Sequence, residues 1–219
     1  MLQSIFLTMF VLFGLLHLLG EGMKKLPVRY ATKPFLLVSL AAYYCVSAET
    51  INWMMTGAIL CGWLGDIFLM IPDPEKTRKY FKPGLAAFLL GHVLYTAVFA
   101  ASFSGFDIFP AWGWGLFLPY LLMGATGFLL VRPHAGKLLG AFVAYVIIIV
   151  IMGFSTVLPL GGVTLKGVIF AMAGSFIFII SDTLNGYNKF AREIPNERIY
   201  TMSTYLVGQF LLVYGYLHF

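Results

Sequence analysis

The chain has 219 residues, 60% of them apolar and only 11% charged, with a mean hydropathy of +0.90; a soluble domain is about half apolar and a quarter charged. Too little polar surface remains to coat a water-facing globule, which excludes a separate soluble catalytic domain, a large extramembrane module and an ordinary nucleic-acid binder. A bilayer-crossing helix takes roughly 20 apolar residues, so eight would use about 160 and leave short connections. The expected class is all-α: a polytopic membrane helix bundle of about eight transmembrane helices, with residues 1–219 forming one integral-membrane domain.

Apolar runs and their polar punctuation predict spans near 3–20, 35–48, 51–71, 84–102, 111–131, 138–157, 164–184 and 199–218. No lysine or arginine precedes the first run, and no small-x-small site ends it, so it reads as a retained helix rather than a signal peptide. Lys24, Lys25 and Arg29 follow it within a basic connection, 21–34. Lys33-Pro34 opens the short second span, and only Glu49-Thr50 separates that span from the third, as in a tight helical hairpin. Cys45 and Cys61 lie in apolar stretches and form neither a ligand-like spacing nor a disulfide framework.

The charges segregate along this order. Connections after the odd-numbered spans carry four, four, two and three Lys or Arg, whereas the termini and the other connections carry Lys166 alone. Thirteen against one is a positive-inside pattern. It places the basic connections in the cytoplasm and both termini on the extracytoplasmic side of a multi-pass cell-membrane protein. The net charge of +5 is thus a topology signal, with anionic headgroups as natural neighbours.

An ionisable side chain within a span is costly unless solvated or paired, so each one is a candidate functional group. Asp66 stands in Gly62-Trp63-Leu64-Gly65-Asp66-Ile67-Phe68 and Asp182 in Phe178-Ile179-Ile180-Ser181-Asp182. Both spans run from outside to inside under the charge rule. Asp66 is expected about five residues from its cytoplasmic end and Asp182 about two to seven, at similar depths at 1.5 Å per residue. Ser175, Asp182, Asn185 and Lys189 recur on one face of the seventh span. His92 shares a face of the fourth with Phe88, Tyr95 and Thr96. Gly62 and Gly65 permit close helix approach beside Asp66. His17, with Glu21 one turn on, is expected at the interface, and Tyr200, Thr201, Ser203, Thr204 and Tyr205 open the last span at the inner side. This polarity suggests a cavity open to the cytoplasm or inner leaflet. Its structural counterpart is a set of ion pairs and helix contacts, for example with Lys189 or Arg192.

The chain has no G-x-S-x-G, H-E-x-x-H, phosphate-loop or C-x-x-C motif. Carboxylate acid–base chemistry or ion binding remains. The segments Lys33-Pro34, Leu64 through Met70, Gly84 through Phe88 with Gly91-His92-Val93-Leu94-Tyr95, and Phe178 through Asp182 followed by Lys189-Phe190 resemble the YhhN family of membrane proteins, which includes the lysoplasmalogenases. The resemblance extends in order over nearly the whole chain, though in the last span it is only compositional.

That resemblance implies hydrolysis of the vinyl ether bond of a lysoplasmalogen, giving a fatty aldehyde and glycerophospho-ethanolamine or -choline, with Asp66 and Asp182 as the catalytic pair. The chemistry suits two carboxyl groups. An acid protonates the β-carbon to give an oxocarbenium ion, water adds, and the hemiacetal collapses, a logic shared with glycoside hydrolysis. No metal or other cofactor is required. The polar face around Asp182 favours it as the base, and the apolar setting of Asp66 favours it as the acid. The lysophospholipid or ether-lipid substrate would enter from the inner leaflet. Lys33, Lys189 or Arg192 would hold its phosphate, while His92, Tyr95, Ser175 and Asn185 would line its cavity. The competing classes are a proton-coupled carrier using the same carboxylates and a lipid-binding protein without turnover.

Overall fold

The computed structural model describes residues 1–71 and 79–219, apart from the Lys137 side chain. Among these residues every regular element is helical: α1 Leu2–Gly22, α2 Leu26–Ser47, α3 Trp53–Met70, α4 Phe81–Ala101, α5 Phe117–Val131, α6 Leu139–Ser155, α7 Leu165–Phe190 and α8 Glu197–Tyr216. Short 3₁₀ segments at Ala111–Leu116, Arg132–His134 and Gly136–Leu138 flank α5 and lead into α6. Most of the charged connection predicted at 72–83, with Lys76 and Arg78, lies outside the described residues.

Among the described residues, five segments are long and apolar enough to cross a membrane: α1, α3, α4, Ala111–His134 around α5, and α7; α6 is apolar but shorter. Their outward faces suit hydrocarbon rather than water. On α1, Leu12, Leu15 and Leu19 recur on one face and are 52, 56 and 60% exposed. The chain is a multi-pass membrane protein.

The chain divides into two compact units, Met1–Tyr95 and Thr96–Phe219. In the first, α2 begins at Leu26, well before the expected start near 35, so Lys33-Pro34 lies inside the helix. The connection from α1 shrinks to 23–25. The Lys25 N–H reaches the Gly20 carbonyl at 2.8 Å, Lys24 takes a left-handed φ of 54°, and a proline stands in the first turn of α2, where it leaves no intrahelical bond unmade. The tight α2–α3 hairpin is present. The Asn52 side chain caps α3 by accepting from the Met54 and Met55 N–H groups, and its own N–H donates to the Tyr44 hydroxyl at 2.9 Å.

In the second unit, α7 and α8 meet backbone to backbone. A Cβ at Gly174 would lie 2.6 Å from the Leu212 nitrogen, and one at Gly215 2.5 Å from the Ala171 nitrogen. Small residues at such crossings let helices pack closely in lipid. The Ser181 hydroxyl donates across the same pair to the Thr201 carbonyl at 2.8 Å. Because backbone cannot step aside for an added side chain, Gly174→Val is expected to destabilise the detergent-solubilised protein by at least about 1–3 kcal/mol. A thermal unfolding midpoint equal to the wild type would refute this account of the contact.

Candidate active site

Asp66 is buried, at 4% exposure, four residues before the end of α3. At Gly65 a Cβ would lie 2.6 Å from the Phe88 ring of α4, so the absent side chain lets that ring close against α3 beside the carboxyl. From α2 comes Lys33, whose Nζ lies 3.1 Å from Asp66 Oδ1. The neighbouring Pro34 carbonyl accepts the Trp63 indole N–H at 2.8 Å. Two successive residues of α2 thereby hold two residues of α3 that stand three apart. Desolvating either charge alone costs several kcal/mol, and their mutual attraction offsets that cost.

One turn before Lys33 a second ionic group ties α2 to α1. Arg29 Nε is 2.6 Å from Glu21 Oε1, and His17 Nε2 is 3.6 Å from the same oxygen. The Thr32 hydroxyl donates to the Val28 carbonyl at 2.7 Å, which leaves it to accept from His17 Nδ1 at 2.9 Å. His17, expected at the interface, is fully buried instead, held through Nδ1 by the Thr32 hydroxyl while Nε2 stands 3.6 Å from the Glu21 carboxylate, beyond hydrogen-bond reach. His92 and Tyr95 are both buried, on the face of α4 shared with Phe88. That face meets α3, for a Cβ at Gly91 would lie 3.2 Å from the Ala58 carbonyl.

Asp182 is half-buried and lies eight residues before the end of α7, slightly deeper in its helix than the two to seven expected. α7 runs on to Phe190, past the point near 184 where its apolar stretch gives out. Tyr145 of α6 donates its hydroxyl to Asp182 Oδ2. Both line a cavity of about 30 Å³ between α5, α6 and α7, with Thr183 and Gly127 also in its wall.

Of the residues predicted to share a site with Asp182, the structure places Ser175 in a different packing layer. It is fully buried, its hydroxyl 2.8 Å from that of Tyr120 and 3.2 Å from that of Thr156. Asn185 and Lys189 are exposed further along α7 and do not line the cavity. The polar start of α8 is satisfied locally: Thr201 bonds Glu197, and the Ser203 and Thr204 hydroxyls donate to carbonyls of their own helix. Tyr145, Thr183, Gly127 and Trp63 were not among the predicted site residues. Tyr145 carried a signal, since it is the only side chain with a hydroxyl in the apolar run 142–152.

The chain belongs to the YhhN family, whose model matches residues 28–216 and so takes in Lys33, Asp66, Tyr145 and Asp182. It is similar to the lysoplasmalogenase TMEM86B of Mus musculus, 27% identical over 183 residues that make up 83% of this chain and 71% of that protein. It is 30% identical to the lysoplasmalogenase TMEM86B of Rattus norvegicus over 82% of this chain and 68% of that protein. With the lysoplasmalogenase TMEM86A of Homo sapiens the identity is 32%, over 68% of this chain and 59% of that protein. No solved structure matches it.

Removing one partner of a buried ion pair strands the other. Lys33→Met is expected to lower stability by about 3–5 kcal/mol, measured by denaturant unfolding in detergent, and the double variant Lys33→Met/Asp66→Asn should recover most of that loss. Equal stability of Lys33→Met and the wild type would show that Asp66 does not depend on this ammonium.

Proposed function

We propose that this protein is a lysoplasmalogenase, hydrolysing the vinyl ether bond of a lysophospholipid to a fatty aldehyde and a glycerophospho-ethanolamine or -choline. The observation that carries the reading is the contrast between its two carboxyl groups: Asp66 is paired with an ammonium, whereas Asp182 accepts from a neutral phenol beside a largely apolar cavity. Acids in unlike surroundings titrate apart, which is how an enzyme obtains both a proton donor and a charged carboxylate. The lysoplasmalogenase names of the relatives support the same substrate class.

In this reading Asp66 is the fixed carboxylate and Asp182 the acid, the reverse of the roles suggested by sequence alone. Asp182 gives its proton to the β-carbon of the alkenyl chain, and the α-carbon becomes an oxocarbenium centre, the kind of developing charge that a carboxylate stabilises. Water adds to that carbon while Asp182, now a carboxylate, takes a proton from it. The hemiacetal then breaks its bond to the glycerol oxygen, which takes the proton given up by the hemiacetal hydroxyl and leaves as the alcohol. The water oxygen remains in the aldehyde, so the step consumes one water and no oxidant, metal or other cofactor. Lys189 and Arg192, exposed at the end of α7, are the cations this reading assigns to the lipid phosphate. Lys33 serves Asp66 rather than the headgroup.

The chain acts as one membrane domain of eight spans with both termini outside, as its thirteen-to-one distribution of Lys and Arg suggests. After Cys45 and Cys61 are replaced by alanine, a membrane-impermeant maleimide applied to intact cells should label Gln3→Cys and not Lys25→Cys. The opposite pattern would invert the topology.

The catalytic test is aldehyde release from a lysoplasmalogen by the purified protein, with diacyl and alkyl-ether lysophospholipids as controls. Turnover should be confined to the vinyl ether, and Asp66→Asn and Asp182→Asn should each lower kcat by about 10²–10⁴-fold. Full activity in both variants would end the two-carboxylate mechanism. Absence of turnover on every ether lipid would end the lysoplasmalogenase reading itself.

A further inference from the structure

Hydrolysis consumes a water molecule at every turnover, yet α5, α6 and α7 are apolar over most of their length. Between them lies the cavity at Asp182. Most of its wall is apolar, including Met123, Phe142 and Ile149, and Asp182, Tyr145 and Thr183 are its polar lining residues. A buried water needs room above about 10–15 Å³ and two to four polar partners. The cavity offers about 30 Å³, room enough for water, together with a carboxyl and two hydroxyls. A Cβ at Gly127 would lie 3.3 Å from Thr183 Oγ1, so any larger residue there would intrude on this wall.

We propose that this cavity is the hydrolytic water site, in which Thr183 and Tyr145 hold a water against Asp182 and Gly127 leaves the room for it. The inference deepens the hydrolase reading and rests on it for the use of the water, but not for its presence. Tyr145 and Thr183 are positioning residues: one fixes the carboxyl from α6, the other orients the water from α7. A site of this kind lets the group that has just given up its proton recover one from the nucleophile without exchange with bulk solvent.

Two readouts test it on the full-length protein. The first uses hydroxyl radicals generated by X-ray pulses in ¹⁸O-water, which mark side chains beside bound water. Tyr145 should label above Tyr120, which is fully buried in the same unit. Gly127→Leu, which fills the cavity, should cut labelling of Tyr145 at least about fivefold, and the near-isosteric Thr183→Val at least about twofold. The second readout is kinetic: Thr183→Val should lower kcat by about 3–10-fold with KM changed less than about twofold, as when a group acts only after the substrate is bound. Unchanged Tyr145 labelling in both variants would overturn the water site even in an active enzyme. Reduced labelling in a protein without vinyl ether turnover would uphold the site and reject the hydrolase. Should Gly127→Leu fail to fold, Thr183→Val alone decides.

Discussion

A charge taken out of water has to find its counterpart within the protein, and in the first unit that requirement sets which helices meet. α2 carries Arg29 and Lys33 one turn apart. The first is matched by Glu21 on α1 and the second by Asp66 on α3, so a single polar helix is secured on both flanks by ions of opposite sign. The Trp63–Pro34 bond adds direction to the second pair, and the Thr32–His17 bond adds it to the first. The glycines of α3 and α4 matter within this frame: Gly65 and Gly91 admit α4 close enough for Phe88 to cover α3 beside the carboxyl.

The second unit meets the same low-dielectric problem with uncharged partners. Tyr145 answers Asp182, Tyr120 and Thr156 answer Ser175, and α7 and α8 gain their contact from bare backbone at Gly174, Gly208 and Gly215. An acid beside an ammonium and an acid beside a phenol are chemically different groups even though the side chain is the same.

Much of this was legible in the amino-acid order. The helical elements followed from apolar runs, the α2–α3 hairpin from the brevity of its connection, and the two intramembrane acids from their isolation among apolar residues. Hydropathy starts α2 too late because it treats Lys and Arg as the mark of a connection. A helix continues through them when its backbone bonds are kept and its cations find Glu21 and Asp66. Ser175 shared a helical face with Asp182, but spacing fixes a face and not a neighbour, and two turns along α7 the neighbours are Tyr120 and Thr156. A tyrosine in an apolar run counts as hydrophobic area, so hydropathy passes over Tyr145. A cavity shaped by three helices has no linear signature.

The match between Lys33 and Asp66 also bears on how the chain comes to occupy a bilayer. A lone lysine at the centre of a spanning helix opposes partition from water into lipid by about 2.5–3.5 kcal/mol, and a lone aspartate does the same. Only residues 48–52 separate α2 from α3, so the two helices can leave the aqueous phase as one antiparallel hairpin whose opposite charges cancel within it. α2, too polar to favour lipid alone, is then carried by the hydrophobicity of α3. The bond that pairs a carboxylate with an ammonium in the finished protein is, during synthesis, what makes the helix beside it soluble in oil.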